Sequence, residues 1–182
     1  MDKKLYKESI ILIGSSGAGK STVAEELHKI TNMPRLCLDR IANRARDTET
    51  RSRFKSSDDF NYYRISQVLR KAKEDDIYGI VDFGAGHSVY DNKDILKKVK
   101  VMLKPFQNIV LLLPDKEEEK ALKIMNERST GDTRDNKKFL ESPCNKELAT
   151  MVIYENNRKP SEIAQEILSR IRSRKEEQME IE

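Results

Sequence analysis

The chain has 182 residues, enough to bury one substantial core and too few for two, so one domain over residues 1–182 is expected and no second catalytic domain. Its residues are 37% hydrophobic and 36% charged, and 35 basic against 31 acidic side chains leave a net charge of +4, spread along the chain; a nucleic-acid partner is permitted but not indicated. The first aliphatic run is too short for a signal peptide or membrane span, and Cys37 and Cys144 lack zinc or disulfide spacing, so a reducing cytoplasm is the default setting.

Apolar runs of strand length alternate with amphipathic stretches. SIILI (9–13) leads into the glycine-rich GSSGAGKST, after which the spacing predicts a helix from Lys20 to Thr31. RLCL (35–38) is the second strand. The charge-dense RIANRARDTETRSRFKSS (40–57) reads as a short helix followed by a mobile segment, and a further helix is expected from about Asp58 to Lys73. IYGIVDF (77–83), a helix over Asn92 to Leu103, NIVLLL (108–113) and a helix over Lys116 to Arg128 follow. Residues 129–146 have turn residues and little apolar content and read as a long loop; MVIY (151–154) is the last strand. The final helix starts at Pro160, sets Ile163, Ile167, Leu168 and Ile171 on one face, and reaches Arg174, with RKEEQMEIE as a frayed end. Runs that are apolar throughout suit parallel strands covered on both faces, so the expected architecture is α/β, a parallel sheet between two helical layers.

Gly14, Ser15, Ser16, Gly17, Ala18, Gly19, Lys20, Ser21 and Thr22 contain the pattern G-x-x-x-x-G-K-[ST] between a predicted strand and a predicted helix. Glycine lets the backbone turn sharply and come close to phosphate oxygens, so successive N–H groups form an anion nest. The helix beginning near Lys20 adds its positive end. Lys20 is placed to reach the outer phosphates of a nucleotide and Ser21 to ligate magnesium. The guanine-reading N-K-x-D is absent, because the stretches around Asn92 and Asn136 have neither its spacing nor its place after a strand. With no room for the accessory modules of large ATPases, a small-molecule or nucleotide kinase remains.

The phosphate loop, GIVDFGAG as third strand, and SPCNKELATMVIYENNRKPSEIAQEI at the end resemble shikimate kinase and its relatives over most of residues 9–172. The resemblance implies a P-loop NTPase fold with five parallel strands in the order 2-3-1-4-5. It also implies an acceptor-binding segment at about 40–64, a lid at about 129–146, and ATP with Mg2+ as cofactors. Asp39 matches the second aspartate of a D-x-D pair near the acceptor hydroxyl, while Cys37 replaces the first. Arg64 resembles the arginine that grips the acceptor's carboxylate, and Gly84, Ala85 and Gly86 match the acceptor loop. Arg128 matches the lid-base arginine and Arg134 is a second candidate for the lid. Glu141 stands where the family has a second carboxylate-gripping arginine; two carboxylates repel at close range, which argues against shikimate as acceptor. Asp82 ends the apolar run of the third strand, which in this topology lies beside the phosphate loop, and is the candidate metal-site aspartate that acts on magnesium from behind its direct ligands.

Blander roles stand beside these. Asp39 suits a helix N-cap, Arg64 a surface ion pair, Arg128 a cation at a helix C-terminus, and Gly84 and Gly86 an ordinary turn. His87 either lines the site or bonds to backbone, and His28 is expected to be structural. The expected activity is transfer of the γ-phosphate of ATP to a hydroxyl of a small molecule other than shikimate. The alternatives are a nucleotide or nucleic-acid end kinase and a non-catalytic ATP-binding regulatory module.

Overall fold

The computed structural model of the chain describes residues 6–38, 50–75, 78–129, 133 and 135–179. Its elements are β1 (Ile10–Ile13), α1 (Lys20–Thr31), β2 (Arg35–Cys37), α2 (Ser57–Glu74), β3 (Ile80–Asp82), α3 (Lys93–Leu103) and β4 (Asn108–Leu113). Then come α4 (Glu118–Arg128), α5 (Asn136–Glu141), α6 (Pro143–Leu148), β5 (Met151–Tyr154) and α7 (Pro160–Met179). The strands form one parallel sheet in the order β2-β3-β1-β4-β5.

The continuous apolar runs have a direct cause: successive side chains of a strand face opposite sides, and both sides are covered. From β1 and β4, Ile10, Leu12, Val110 and Leu112 pack with Val23 and Leu27 of α1 and with Ile163 and Ile167 of α7. Ile11, Ile13, Ile109 and Leu111 face the other way, toward Ile65 and Leu69 of α2, Val99 of α3 and Met125 of α4. β1 lies at the centre, paired with β3 on one side and β4 on the other. The loop that follows it therefore opens at the middle of the sheet's C-terminal edge, where α/β sheets bind ligands. Among the described residues no helix is long and apolar enough to cross a membrane.

Two expectations need correction. Residues 129–146 are not simply a long loop, since α5 lies within them and α6 begins there and runs on to Leu148. Their apolar anchors are few, with Leu140, Cys144 and Leu148 buried at helical spacing, and buried asparagines supply the remaining contacts. Asn136 Nδ2 donates to Asn126 Oδ1 (2.9 Å), Asn145 Nδ2 to the Phe139 carbonyl (2.7 Å), and Ser88 Oγ to Asn145 Oδ1 (2.6 Å). Nor does the last helix fray at Arg174. It runs on to Met179, with Arg174 donating to the Gln107 carbonyl (2.9 Å) and Lys175 paired with Glu8 (2.8 Å). Most of the segment 40–57 lies outside the described residues.

Leu112 is fully buried between β4 and the α1/α7 layer. Leu112→Ala is expected to destabilise the fold by about 3 kcal/mol in urea unfolding, through lost burial and the cavity left behind. A loss well under 1 kcal/mol would mean that this layer is not closely packed.

Candidate active site

The turn from β1 into α1 is built on three glycines in the left-handed half of backbone space: Gly14 (φ 141°), Gly17 (φ 74°) and Gly19 (φ 73°). A Cβ at Gly14 would stand 2.7 Å from the Leu112 carbonyl oxygen, and one at Gly17 would stand 2.5 Å from that of Met125. Both neighbours are backbone and cannot swing away, so the loop is seated directly on the end of β4 and on α4. α1 begins without a side-chain cap at Gly19 and without an acid in its first turn. Its positive end is thus left for an external anion. Lys20, 8% exposed, donates from Nζ to the Ser15 carbonyl oxygen (2.9 Å), inside the loop. Ser15 Oγ is buried and makes no hydrogen bond among the described residues, which fits a loop whose natural partner is a ligand.

Ser21 Oγ donates to Asp82 Oδ2 at 2.6 Å, across 61 positions of sequence. Register explains the meeting: Asp82 lies beside Leu12 of β1 and beside Cys37 of β2. The Asp82 side chain is buried, 4% exposed. A hydroxyl and one carboxylate, both hard oxygen donors, suit magnesium, which keeps water and phosphate ligands of its own. No group of three His, Cys, Asp or Glu residues among the described ones could form a closed metal cage.

These residues open on a cleft of ≈ 540 Å³. It is lined by the loop from Ser16 to Thr22, by Asp82, Gly84 and Ala85 at the exit of β3, and by Arg128, Glu155, Arg158 and Pro160. Glu155 lies directly against the loop, one carboxylate oxygen standing beside Gly19. The structure thus brings together the phosphate loop, Asp82, Gly84, Ala85 and Arg128.

Among the described acceptor candidates, Arg64, Gly86 and Glu141 do not line this cleft. Arg64 reaches from α2 to donate to the Leu38 carbonyl oxygen (2.7 Å), with its guanidinium 5.7 Å from the centre of the Phe60 ring. The Gly86 carbonyl accepts from Asn61 Nδ2 (3.1 Å), which ties the loop after β3 to the same helix. Glu141 is placed elsewhere altogether. It is exposed, 3.7 Å from Lys137 Nζ, in a separate groove between α3 and α5–α6. The reason is the helix that the sequence did not announce: Phe139 comes up to Gly86, and Glu141, two positions on, turns to another face. Asp39 and Arg134 lie outside the described residues. His87 is buried beside the cleft; its amide donates to the Gly84 carbonyl (3.0 Å), and its own carbonyl accepts from the Tyr90 hydroxyl (2.7 Å). Burial, and then the nearby Asp58 and Cys144, push the Tyr90 hydroxyl well above its usual range, so it stays protonated as that donor. His28 Nδ1 meets the Met33 carbonyl at 2.7 Å, a structural contact.

Glu155 and Arg158 were not singled out by the sequence. Glu155 closes the apolar run MVIY and is 5% exposed; its carboxylate accepts from Arg128 Nη1 at 2.5 Å. Asn156 (φ 49°) and Asn157 (φ 60°) carry the chain through a left-handed turn closed by Arg158 N–H on the Glu155 carbonyl (2.9 Å). Arg158 then staples this turn to α7: it donates to the Tyr154 and Glu155 carbonyls and pairs with Glu166 (2.5 Å), which Arg170 also engages (2.5 Å). A signal existed, an acid directly behind a buried strand and followed by Asn-Asn.

Comparisons with known proteins bear on the fold. The model of the AAA domain family matches residues 10–92. A shikimate kinase of Flavobacterium johnsoniae is 28% identical over 90 residues, which are 49% of this chain and 52% of that protein. The chain thus spans about half the length of the curated relative it matches. In fold, a shikimate kinase from Acinetobacter baumannii in complex with shikimate is similar with a TM-score of 0.65 at 21% identity, over 95% of this chain and 98% of that one. A gluconokinase from Sinorhizobium meliloti 1021 is similar with a TM-score of 0.62 at 19% identity, over 97% of both chains. A shikimate kinase from Aquifex aeolicus reaches 0.58 at 22% identity, over 91% of this chain and 97% of that one. In fold the chain is thus like these kinases, a five-stranded parallel sheet of order 2-3-1-4-5 with a glycine-rich loop after its first strand.

The Arg158 staple is pH-dependent. Burial pushes the Glu166 carboxyl up, but Arg158 and Arg170 outweigh it and hold it below the usual range. Its stabilisation is therefore complete above the unfolded carboxyl's value of about 4.3 and is lost as pH falls through the lower folded value. Glu166→Gln is expected to cost about 1 kcal/mol in urea unfolding at pH 7, and progressively less below about pH 4. An equal cost at both ends would show that the charge is irrelevant.

Proposed function

We propose that this chain is an ATP-dependent phosphotransferase that moves the γ-phosphoryl group to a hydroxyl of a small molecule, and that the molecule is not shikimate. The Ser21–Asp82 contact carries the reading: a metal-type oxygen pair sits under the Lys20 loop, on a cleft whose other wall is the glycine-containing exit of β3. The relatives named above, shikimate kinases and a gluconokinase, support a small hydroxylated acceptor. A cytoplasmic setting accords with the two free cysteines.

In this reading the loop amides and Lys20 bind the β- and γ-phosphates and neutralise their charge, and Arg128, with Arg134 as the further lid candidate, covers the transferring group. Magnesium, held by Ser21 and Asp82, would supply charge neutralisation on the phosphate oxygens. Asp39 orients the acceptor hydroxyl or takes its proton, and Arg64 fixes the end of β2 just before it. Gly84 and Ala85 leave room for the acceptor to approach, and Gly86 anchors their loop to Asn61 of α2. Cys37 takes the place of the family's first aspartate, and the neighbouring strand offers Asp82 at the same level of the sheet.

The case against shikimate rests on charge. Arg64 matches one of the family's two carboxylate-gripping arginines, whereas the other position is Glu141, engaged with Lys137 outside the cleft. An acceptor with fewer demands for positive charge fits better.

Lys20→Ala is expected to weaken MgATP binding about a hundredfold, the loss of charge-assisted hydrogen bonds to phosphate, measured by calorimetry. Unchanged affinity would defeat the phosphate-loop assignment. Across a panel of small alcohols that includes shikimate and gluconate, a coupled ADP-release assay is expected to show turnover with an alcohol other than shikimate. Robust turnover of shikimate would overturn the acceptor assignment and leave the phosphotransferase intact.

A further inference from the structure

The acid that follows β5 has no part in the scheme above, yet among the described residues it is, with Asp82, one of two carboxylates that line the cleft, and it lies against Gly19 of the phosphate loop. One Glu155 oxygen accepts from Arg128 Nη1 at 2.5 Å, and the other lies where a Cβ on Gly19 would stand. Its backbone is fixed from both sides: the amide donates to the Leu113 carbonyl (2.8 Å), the carbonyl accepts from the Arg158 amide (2.9 Å), and the next amide, of Asn156, donates to the Pro114 carbonyl (2.9 Å). Arg128 is different, the last residue of α4, with a side chain 44% exposed that lines the cleft. A fixed, buried carboxylate thus meets a long cation that has other rotamers open to it.

A buried carboxylate beside a polyphosphate repels it unless a cation lies between them. Arg128 supplies that cation and, gripped by one nitrogen, keeps its remaining N–H groups for the cleft. We infer that Glu155 is a positioning residue for the nucleotide: it holds the Arg128 guanidinium on the rim of the cleft in the orientation that receives the ligand. This rests on the phosphotransferase reading. Two other roles for the pair make different predictions. A latch that keeps Arg128 from the ligand would, when removed, tighten nucleotide binding. A purely structural bridge would, when removed, lower stability and leave affinity unchanged.

The test is a double-mutant cycle on MgATP dissociation constants, by calorimetry, with thermal unfolding of each nucleotide-free protein alongside. Glu155→Gln keeps the size of the side chain and its acceptor oxygen while removing the charge that orients Arg128. It is expected to bind about tenfold more weakly, as is Arg128→Ala, and the double variant no more weakly than Arg128→Ala alone. Additive losses, an unchanged Glu155→Gln or a tighter one would overturn the inference. Should Glu155→Gln fail to fold, Glu155→Asp, which keeps the charge and draws Arg128 off the rim, is read by the same criteria. No MgATP binding by the unaltered protein would overturn both the phosphotransferase reading and this inference, whereas normal binding with an insensitive Glu155 overturns this inference alone.

Discussion

The close seating of the glycine loop on its neighbours is the constraint from which the rest follows. Gly14 rests on the end of β4, Gly17 on the backbone of α4, and Gly19 on the carboxylate that ends β5. Three elements distant in sequence thus converge on one turn, and each approach is possible only because a Cβ is missing. The loop is shaped by what it touches, so its amides are organised by the fold itself.

That seating requires the sheet to be buried on both sides. β1 is apolar at every position and β4 at every position after Asn108, with alternate side chains committed to opposite helical layers, so neither strand can slip by one residue without exchanging its faces. The same register brings Asp82 level with the end of β1 and sets its carboxylate against Ser21. Placement of a buried acid next to the phosphate loop is thus a consequence of strand pairing. The turn that carries Glu155 is fixed by other means: a left-handed asparagine pair and the Arg158 staple hold the chain after β5 in place.

Wherever one physical signal dominated, the fold was legible in the sequence. Unbroken aliphatic runs gave the strands, and the glycines with Lys20 and Ser21 gave the loop, because both features are local. What was not legible depended on polar groups buried for tertiary reasons. α5 and α6 hold their place through Asn136 and Asn145, residues that in isolation argue for a loop. Missing those helices misplaced Glu141, since the direction of a side chain follows from the helix that carries it. Glu155 escaped for a related reason. An acid after a strand is ordinary until the arginine that meets it, 27 positions earlier, is seen beside it.

The pairing of Cys37 with Asp82 bears on how such sites are traced between distant proteins. Adjacent parallel strands lie about 4.8 Å apart, hardly more than the step between consecutive residues of one chain. An acidic group can therefore migrate sideways, from one ribbon to the next, and stay in the same neighbourhood while the linear signature that once contained it disappears. Relationships among proteins of this fold are better followed along rows that cut across the sheet than along the order in which residues are joined.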